Sequence, residues 1–140
     1  MVESFRPAWW CKGPHAQTLW HNRIRRAPKI TLRRERVELP DGDFLDVDWC
    51  GDGTGPIVLL LHGLQGSSRS TYARAILRSI ADQGWRGALM HFRGCSGEPN
   101  RLPRSYHSGE TGDVAQFAAL LQAREPNTPL AAIGVSLGGN

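Results

Sequence analysis

From residue 45 to 49 the chain alternates strictly, Leu45-Asp46-Val47-Asp48-Trp49, apolar side chains taking turns with carboxylates. A period of two predicts a half-buried strand over 44–49, with Asp46 and Asp48 on its solvated face. Thr31 to Leu39, where charges interrupt Leu32, Val37 and Leu39, predicts a strand before it. Pro40-Asp41-Gly42-Asp43 is the turn between, so the two strands form an antiparallel pair. Ile57-Val58-Leu59-Leu60-Leu61 does not alternate. A short aliphatic run of this kind predicts a strand covered on both faces, as parallel sheets require. Tyr72, Ala73, Ile76, Leu77 and Ile80 then recur at helical spacing, which predicts a helix over 70–83 that stops at Gly84. Arg86 to Phe92 reads as a second buried strand. Val114, Phe117, Ala118 and Leu121 mark a helix over 110–123, Pro126 to Pro129 break it, and Leu130 to Val135 form a third apolar strand. Strands joined through helices in this way pair in parallel. The expected fold class is α/β: an antiparallel strand pair, then parallel strands with crossover helices.

Residues 1–28 show no such period and predict an irregular N-terminal segment. Within it Pro14-His15-Ala16-Gln17-Thr18-Leu19 has proline where a short helix would begin. Trp9, Trp10 and Trp20 are expected to pack over the flank of the domain, an interfacial anchor being the other reading. The whole chain, 140 residues with 40% hydrophobic content, suits one domain with its own core. The net charge is +4, and residues 23–36 hold seven basic side chains against one acidic. The plain expectation is a solvated surface segment; the sharper one is an arm touching anionic membrane or nucleic acid. Cys11, Cys50 and Cys95 are odd in number and lack a C-x-x-C pair, which argues against a disulfide framework or a zinc ribbon and for a reducing compartment. Glu3, Arg6 and Pro7 interrupt any apolar leader, and the longest aliphatic run, residues 57–61, is far too short to span a bilayer. A cytoplasmic location is expected. Gly51 to Pro56 lacks the Lys-Ser/Thr of a phosphate-binding loop.

The candidate chemistry sits at the end of the third apolar strand. Gly134-Val135-Ser136-Leu137-Gly138 matches G-x-S-x-G, the turn that exposes a serine between a strand and a helix. With 16 glycines in the chain, roughly one such sequence in ten would contain the pattern by chance, so its context must decide. The preceding strand is present. A serine nucleophile also needs donors for the oxyanion. The Leu137 N–H is one. The second is expected from the loop after residues 57–61, where His62-Gly63-Leu64-Gln65-Gly66 stands: the Leu64 N–H would point inward, with His62 and Gly63 shaping the loop. Gly134 and Gly138 would let the backbone pass closely on either side of Ser136.

Four stretches carry a resemblance. They are Pro14 to Thr18, His62 to Ser67, Arg93-Gly94-Cys95-Ser96-Gly97 with Tyr106-His107-Ser108-Gly109, and Gly134 to Asn140. Together they resemble the α/β-hydrolase superfamily and, within it, the YheT-like branch with its ABHD1- and ABHD3-type relatives. The resemblance covers nearly the whole chain. It implies the N-terminal part of an α/β-hydrolase fold through the nucleophile elbow, a single partial domain over 1–140 with an incomplete sheet. It implies a serine hydrolase of carboxylic esters, with a small-molecule or lipid ester as substrate, no metal, no organic cofactor and no nucleic acid; peripheral membrane contact and oligomeric state stay open. In this superfamily the acid and then the histidine follow the serine in chain order. His15, His21, His62, His91 and His107 all precede Ser136, so the triad acid and base are expected beyond Asn140 and this stretch alone is expected to be inactive and to leave an unpaired strand edge. Two further readings are an alcohol acyltransferase and a non-enzymatic module that binds a partner through that edge. A third makes Cys95 a nucleophile or, with His91, a metal-ligand pair, which is too few ligands for zinc.

Overall fold

Among the described residues, five strands and two crossover helices form where the periodicities place them, and a short helix forms at the proline-led stretch 14–19. The computed structural model describes residues 5–20 and 26–140; Glu3, His21, Arg23 and Arg25 lie outside them. In chain order the elements are α1 (Pro14–Leu19), β1 (Arg33–Glu38), β2 (Phe44–Cys50), β3 (Ile57–Leu61), α2 (Thr71–Asp82), β4 (Arg86–Met90), α3 (Gly112–Arg124) and β5 (Leu130–Gly134), closed by a 3-10 turn at Ser136–Gly139. They build one mixed sheet in the order β1-β2-β4-β3-β5. β1 and β2 are antiparallel, β2 runs antiparallel to β4, and β3 lies parallel to both β4 and β5. This is the mixed, open sheet expected from the pattern, with helices over its faces.

The two faces pack differently. Val37, Leu45, Val47, Leu59, Ala88 and Met90 meet Phe117 and Leu121 of α3 on one side. Leu60, Leu89 and Cys50 meet Ala73 and Leu77 of α2 on the other. Every residue of β3 is buried, because a continuous aliphatic strand has an apolar layer on each side. Among the described residues β1 and β5 are the edge strands, and Ala131, Ala132 and Ile133 of β5 are exposed.

β2 departs from the expectation. Asp46 and Asp48 are not solvated: both are buried, along with every other residue of the strand. The cause is the partner strand. Arg34 lies opposite Asp48 and Arg36 opposite Asp46 in the β1–β2 register. Each arginine forms a two-pronged pair, with Nε–O distances of 2.8 Å. Such charge-assisted forks are among the stronger polar contacts, and they let both carboxylates sit under the loop that follows β4. The basic excess near residue 34 is thus partly spent inside the sheet rather than left as a free arm. The tryptophans also depart from expectation: α1 buries none of its residues, Trp9 is 83% exposed, and Trp10 packs against Trp20 with ring centroids 4.5 Å apart.

A second buried network fastens the loop beyond β4. Arg93, 3% exposed, bonds Asp113 through Nε at 2.7 Å, Asp43 through Nη1 at 2.9 Å and Asp41 through Nη2 at 2.8 Å. Asn100 and the Arg101 N–H close the cluster on Asp43 Oδ1. Burial by itself would raise the Asp43 carboxyl. The hydrogen bonds from Asn100, Arg101 and Phe44 and the Arg93 charge outweigh it and hold that carboxyl at about 2. Burial likewise pushes Asp48 up, but Arg34, His91 and Ser68 hold it well below the usual carboxylate range. A depressed carboxylate contributes stability that is present above its unfolded value, about 3.9, and is lost as the pH falls through its folded value. Urea midpoints measured from pH 6 downward are therefore expected to hold to about pH 4 and then fall steeply toward pH 2; a midpoint that stays flat across that window would contradict these pairs.

Candidate active site

The parallel strands β3 and β5 end side by side, with Leu61 paired to Gly134 and the Val135 N–H donating to the Leu61 carbonyl at 3.0 Å. That register brings the next residues of each strand, Gly63 and Ser136, together above the sheet's carboxyl edge. Ser136 has φ 53, in the left-handed region that a serine enters only under local constraint. The constraint is close backbone packing. A Cβ on Gly134 would lie 2.3 Å from the Gly138 carbonyl oxygen, and one on Gly138 would lie 2.5 Å from the Leu61 oxygen. Only glycine fits at either place. The turn projects an exposed serine hydroxyl from the edge, with Gly63 so near that a Cβ there would sit 3.3 Å from Ser136 Cβ.

The loop opposite is held from both sides. His62 is fully buried at the end of β3. Its Nε2 accepts the Phe92 N–H at 3.1 Å and its Nδ1 lies 2.7 Å from the Gly63 carbonyl oxygen, so the ring is neutral with the proton on Nδ1. Burial, opposed by that Gly63 bond and aided by His91, pushes its pKa down. With both nitrogens engaged His62 is a strut, tying the ends of β3 and β4 to the loop. The Gly63 N–H donates to Tyr72 Oη at 3.0 Å and the Gln65 N–H to Tyr106 Oη at 2.8 Å. The Gly66 N–H closes a turn onto the Gly63 carbonyl at 2.9 Å. Among the described residues the backbone N–H groups of Leu64 and Leu137 have no acceptor. Two amides without acceptors thus lie in the segments that follow β3 and β5, where Gly63 and Ser136 approach each other.

No histidine among the described residues bonds the Ser136 hydroxyl. His91 Nε2 faces Asp48 at 2.8 Å. His107 Nδ1 accepts the Gly109 N–H at 3.1 Å while its ring lines a cavity of about 260 Å³ with Leu137 and Gly138. Nor do three His, Cys, Asp or Glu side chains converge as metal ligands do among the described residues. Cys95 is half-buried against the core beside Tyr106.

The sequence model of the α/β hydrolase fold matches residues 56–140. This chain belongs to the α/β-hydrolase fold family. Escherichia coli (strain K12) YheT is 47% identical over 130 residues, 90% of this chain and 38% of YheT. The phospholipase ABHD3 of Homo sapiens is 30% identical over 148 residues, 99% of this chain and 36% of that protein. These matches place the chain in the YheT-like, ABHD-type branch of the family, of whose members it spans less than two-fifths of the length. The Pyrococcus furiosus esterase Pf2001 superposes with a TM-score of 0.64 at 19% identity, covering 84% of this chain and 49% of the esterase; that likeness concerns the fold.

In this hydrolase fold the residues marked by the G-x-S-x-G and His-Gly patterns do come together at one edge: Ser136, Leu137, Gly134 and Gly138 on one side, His62, Gly63 and Leu64 on the other. The pattern did not single out Tyr72 and Tyr106. Tyr72 sits in a helical apolar stripe, and nothing in that spacing announces that its hydroxyl reaches the β3 loop. Tyr106 belongs to the stretch that carries the family resemblance, which was its only signal.

Proposed function

We propose that this chain carries the nucleophile and oxyanion hole of a serine hydrolase acting on carboxylic esters with acyl or lipid-like character. The observation that carries the reading is the left-handed backbone of Ser136, wedged between two obligatory glycines and facing Gly63. In the reaction Ser136 Oγ adds to the ester carbonyl carbon and gives its proton to a histidine. The carbonyl oxygen becomes an oxyanion held by the Leu64 and Leu137 N–H groups. The C–O bond to the alcohol then breaks, the histidine returns the proton to the leaving oxygen, and water repeats the cycle on the acyl-enzyme.

Among the described residues no histidine bonds the Ser136 hydroxyl, and His62 and His91 are held in buried hydrogen bonds, which supports a base and an acid that follow Ser136 in the order usual for this family. The phospholipase named among the relatives supports a lipid ester as the substrate class. Binding of that ester is the only partner interaction the reading requires. The test is covalent labelling of the full-length protein with a fluorophosphonate, followed by peptide mapping. The expected result is one phosphonyl group on Ser136, at a rate far above that of any other serine. Labelling elsewhere, or of Cys95 alone with iodoacetamide and no serine, would refute the assignment.

A further inference from the structure

Of the amides in the turn from 63 to 66, three have acceptors and one does not. Gly63 is bonded to Tyr72, Gln65 to Tyr106 and Gly66 to the Gly63 carbonyl. Leu64, between the two tyrosine-bonded amides, is the exception. The two phenols come from opposite layers. Tyr72 opens α2 and packs with the cluster on that face, whereas Tyr106 packs with the cluster under α3. The Tyr106 ring stacks on Phe92 at 5.1 Å with an interplanar angle of 9°, and Phe92 is the residue whose N–H His62 accepts. The loop is therefore pinned at two points, one from each side of the sheet, with a left-handed residue at one of them: Gln65 has φ 52.

We propose that Tyr72 and Tyr106 are positioning residues, whose hydroxyls fix the Gly63 and Gln65 amides so that the Leu64 N–H stays turned toward the carbonyl oxygen bound at Ser136. This rests on the hydrolase reading above. The Leu64 N–H shares a peptide plane with the Gly63 carbonyl, which accepts the Gly66 N–H and the His62 Nδ1–H, and the planes before and after it limit how far that plane can turn. Tyr72 holds the first through the Gly63 N–H, and Tyr106 holds the second through the Gln65 N–H. Released at either end, the short glycine-flanked turn gains conformations that put a carbonyl where the donor should be. An oxyanion hole acts because its donors need no reorganisation during the reaction. The phenols suit the task because each accepts the amide through its oxygen; burial raises the Tyr106 phenol, and it stays protonated at neutral pH. Tyr106 is in turn carried by the segment that Arg93 and Asn100 fasten at its start and the Arg104–Glu110 pair at its end.

The experiment uses full-length protein with Tyr72→Phe, Tyr106→Phe and both changes together, beside Ser136→Ala. Each phenylalanine keeps the ring and removes one oxygen. Three quantities are measured: kcat and KM on p-nitrophenyl butyrate, the affinity for a trifluoromethyl ketone that adds to the serine and places an oxyanion in the hole, and the urea midpoint. Positioning predicts that kcat falls roughly tenfold for each single variant, and that the double variant approaches the ~10²–10³ loss that follows removal of one oxyanion donor. Affinity for the ketone should fall by the same factor while KM stays within about twofold. If the tyrosines only satisfy buried amides, the midpoint drops and kcat and ketone affinity stay at wild-type values, which overturns the proposal. Turnover that survives Ser136→Ala would instead remove the hydrolase reading, and the positioning role with it.

Discussion

Ser136→Ala in the full-length protein is expected to cut kcat on activated esters by roughly 10⁴-fold or more, with little change in the folded structure. The nucleophile is the one group in a serine hydrolase that nothing nearby can replace. Without Oγ no acyl-enzyme forms, and only the slow rate offered by the oxyanion donors and substrate binding remains. Folding should be nearly untouched, because the hydroxyl is exposed at the sheet edge and has no hydrogen-bond partner among the described residues. Surface changes of this kind shift stability by about 0.5 kcal/mol or less. Alanine keeps the left-handed backbone cost that serine already bears, so the turn is not relaxed either. The measurement is paired: ester hydrolysis and a urea midpoint on the same preparation. A loss of kcat under tenfold would mean that Ser136 is not the nucleophile. A collapse of the midpoint would mean that its hydroxyl holds the turn together.

The largest effect on stability is expected from Arg93→Met, a loss of about 3–5 kcal/mol. Methionine preserves much of the apolar stem but leaves Asp43 and Asp113, both essentially inaccessible to water, without their cation. Removing one member of a buried ionic cluster costs more than the cluster itself contributes, because the remaining charges stay desolvated. The Asp43 carboxyl, which the Arg93 charge helps to hold down, should then titrate at higher pH, which fixes the sign of the pH dependence. A carboxyl whose folded pKa is raised destabilises the protein above that pKa and ceases to do so below it. The gap between the variant and the wild type should therefore be widest near neutral pH and narrow as the medium is acidified. Arg93→Lys should fall between the two, since it keeps the charge but cannot span Asp113, Asp43 and Asp41 with one planar fork. Chemical denaturation at pH 7 and pH 4.5 checks both points. A loss below about 1 kcal/mol at pH 7 would show that water reaches this cluster freely. The same variant is expected to loosen the segment that brings Tyr106 to the β3 loop.

Much of this was readable along the chain. The strand over 57–61 has the limits expected of it, and the other strands and the two crossover helices lie within about two residues of theirs, because local period and turn residues act over short distances. The elbow was legible for a similar reason: two glycines spaced around a serine encode a local steric requirement, and the contacts at Gly134 and Gly138 show what it is. The faces of β2 were not legible. Alternation says that Asp46 and Asp48 share a face, but it does not say what covers that face. The answer lay in two arginines ten and fourteen residues earlier, brought opposite by register. The exposure of Trp9 and Trp10 failed in the other direction, since an aromatic side chain marks a surface that burial would stabilise without naming a neighbour to supply it.

By itself the sequence determined the elements, the parallel pairing of the crossover strands, the constrained serine and the loop that would face it, all through restrictions that act within a few residues. Only the tertiary structure decided the strand order, the burial of the acidic face of β2, the neutral strut at His62 and the two tyrosines that pin the neighbouring amides. These depend on groups distant along the chain, such as Gly63 with Tyr72, Gln65 with Tyr106, and Ile57 with Leu130. No periodicity encodes a contact of that kind; it exists only once the sheet has set the distance.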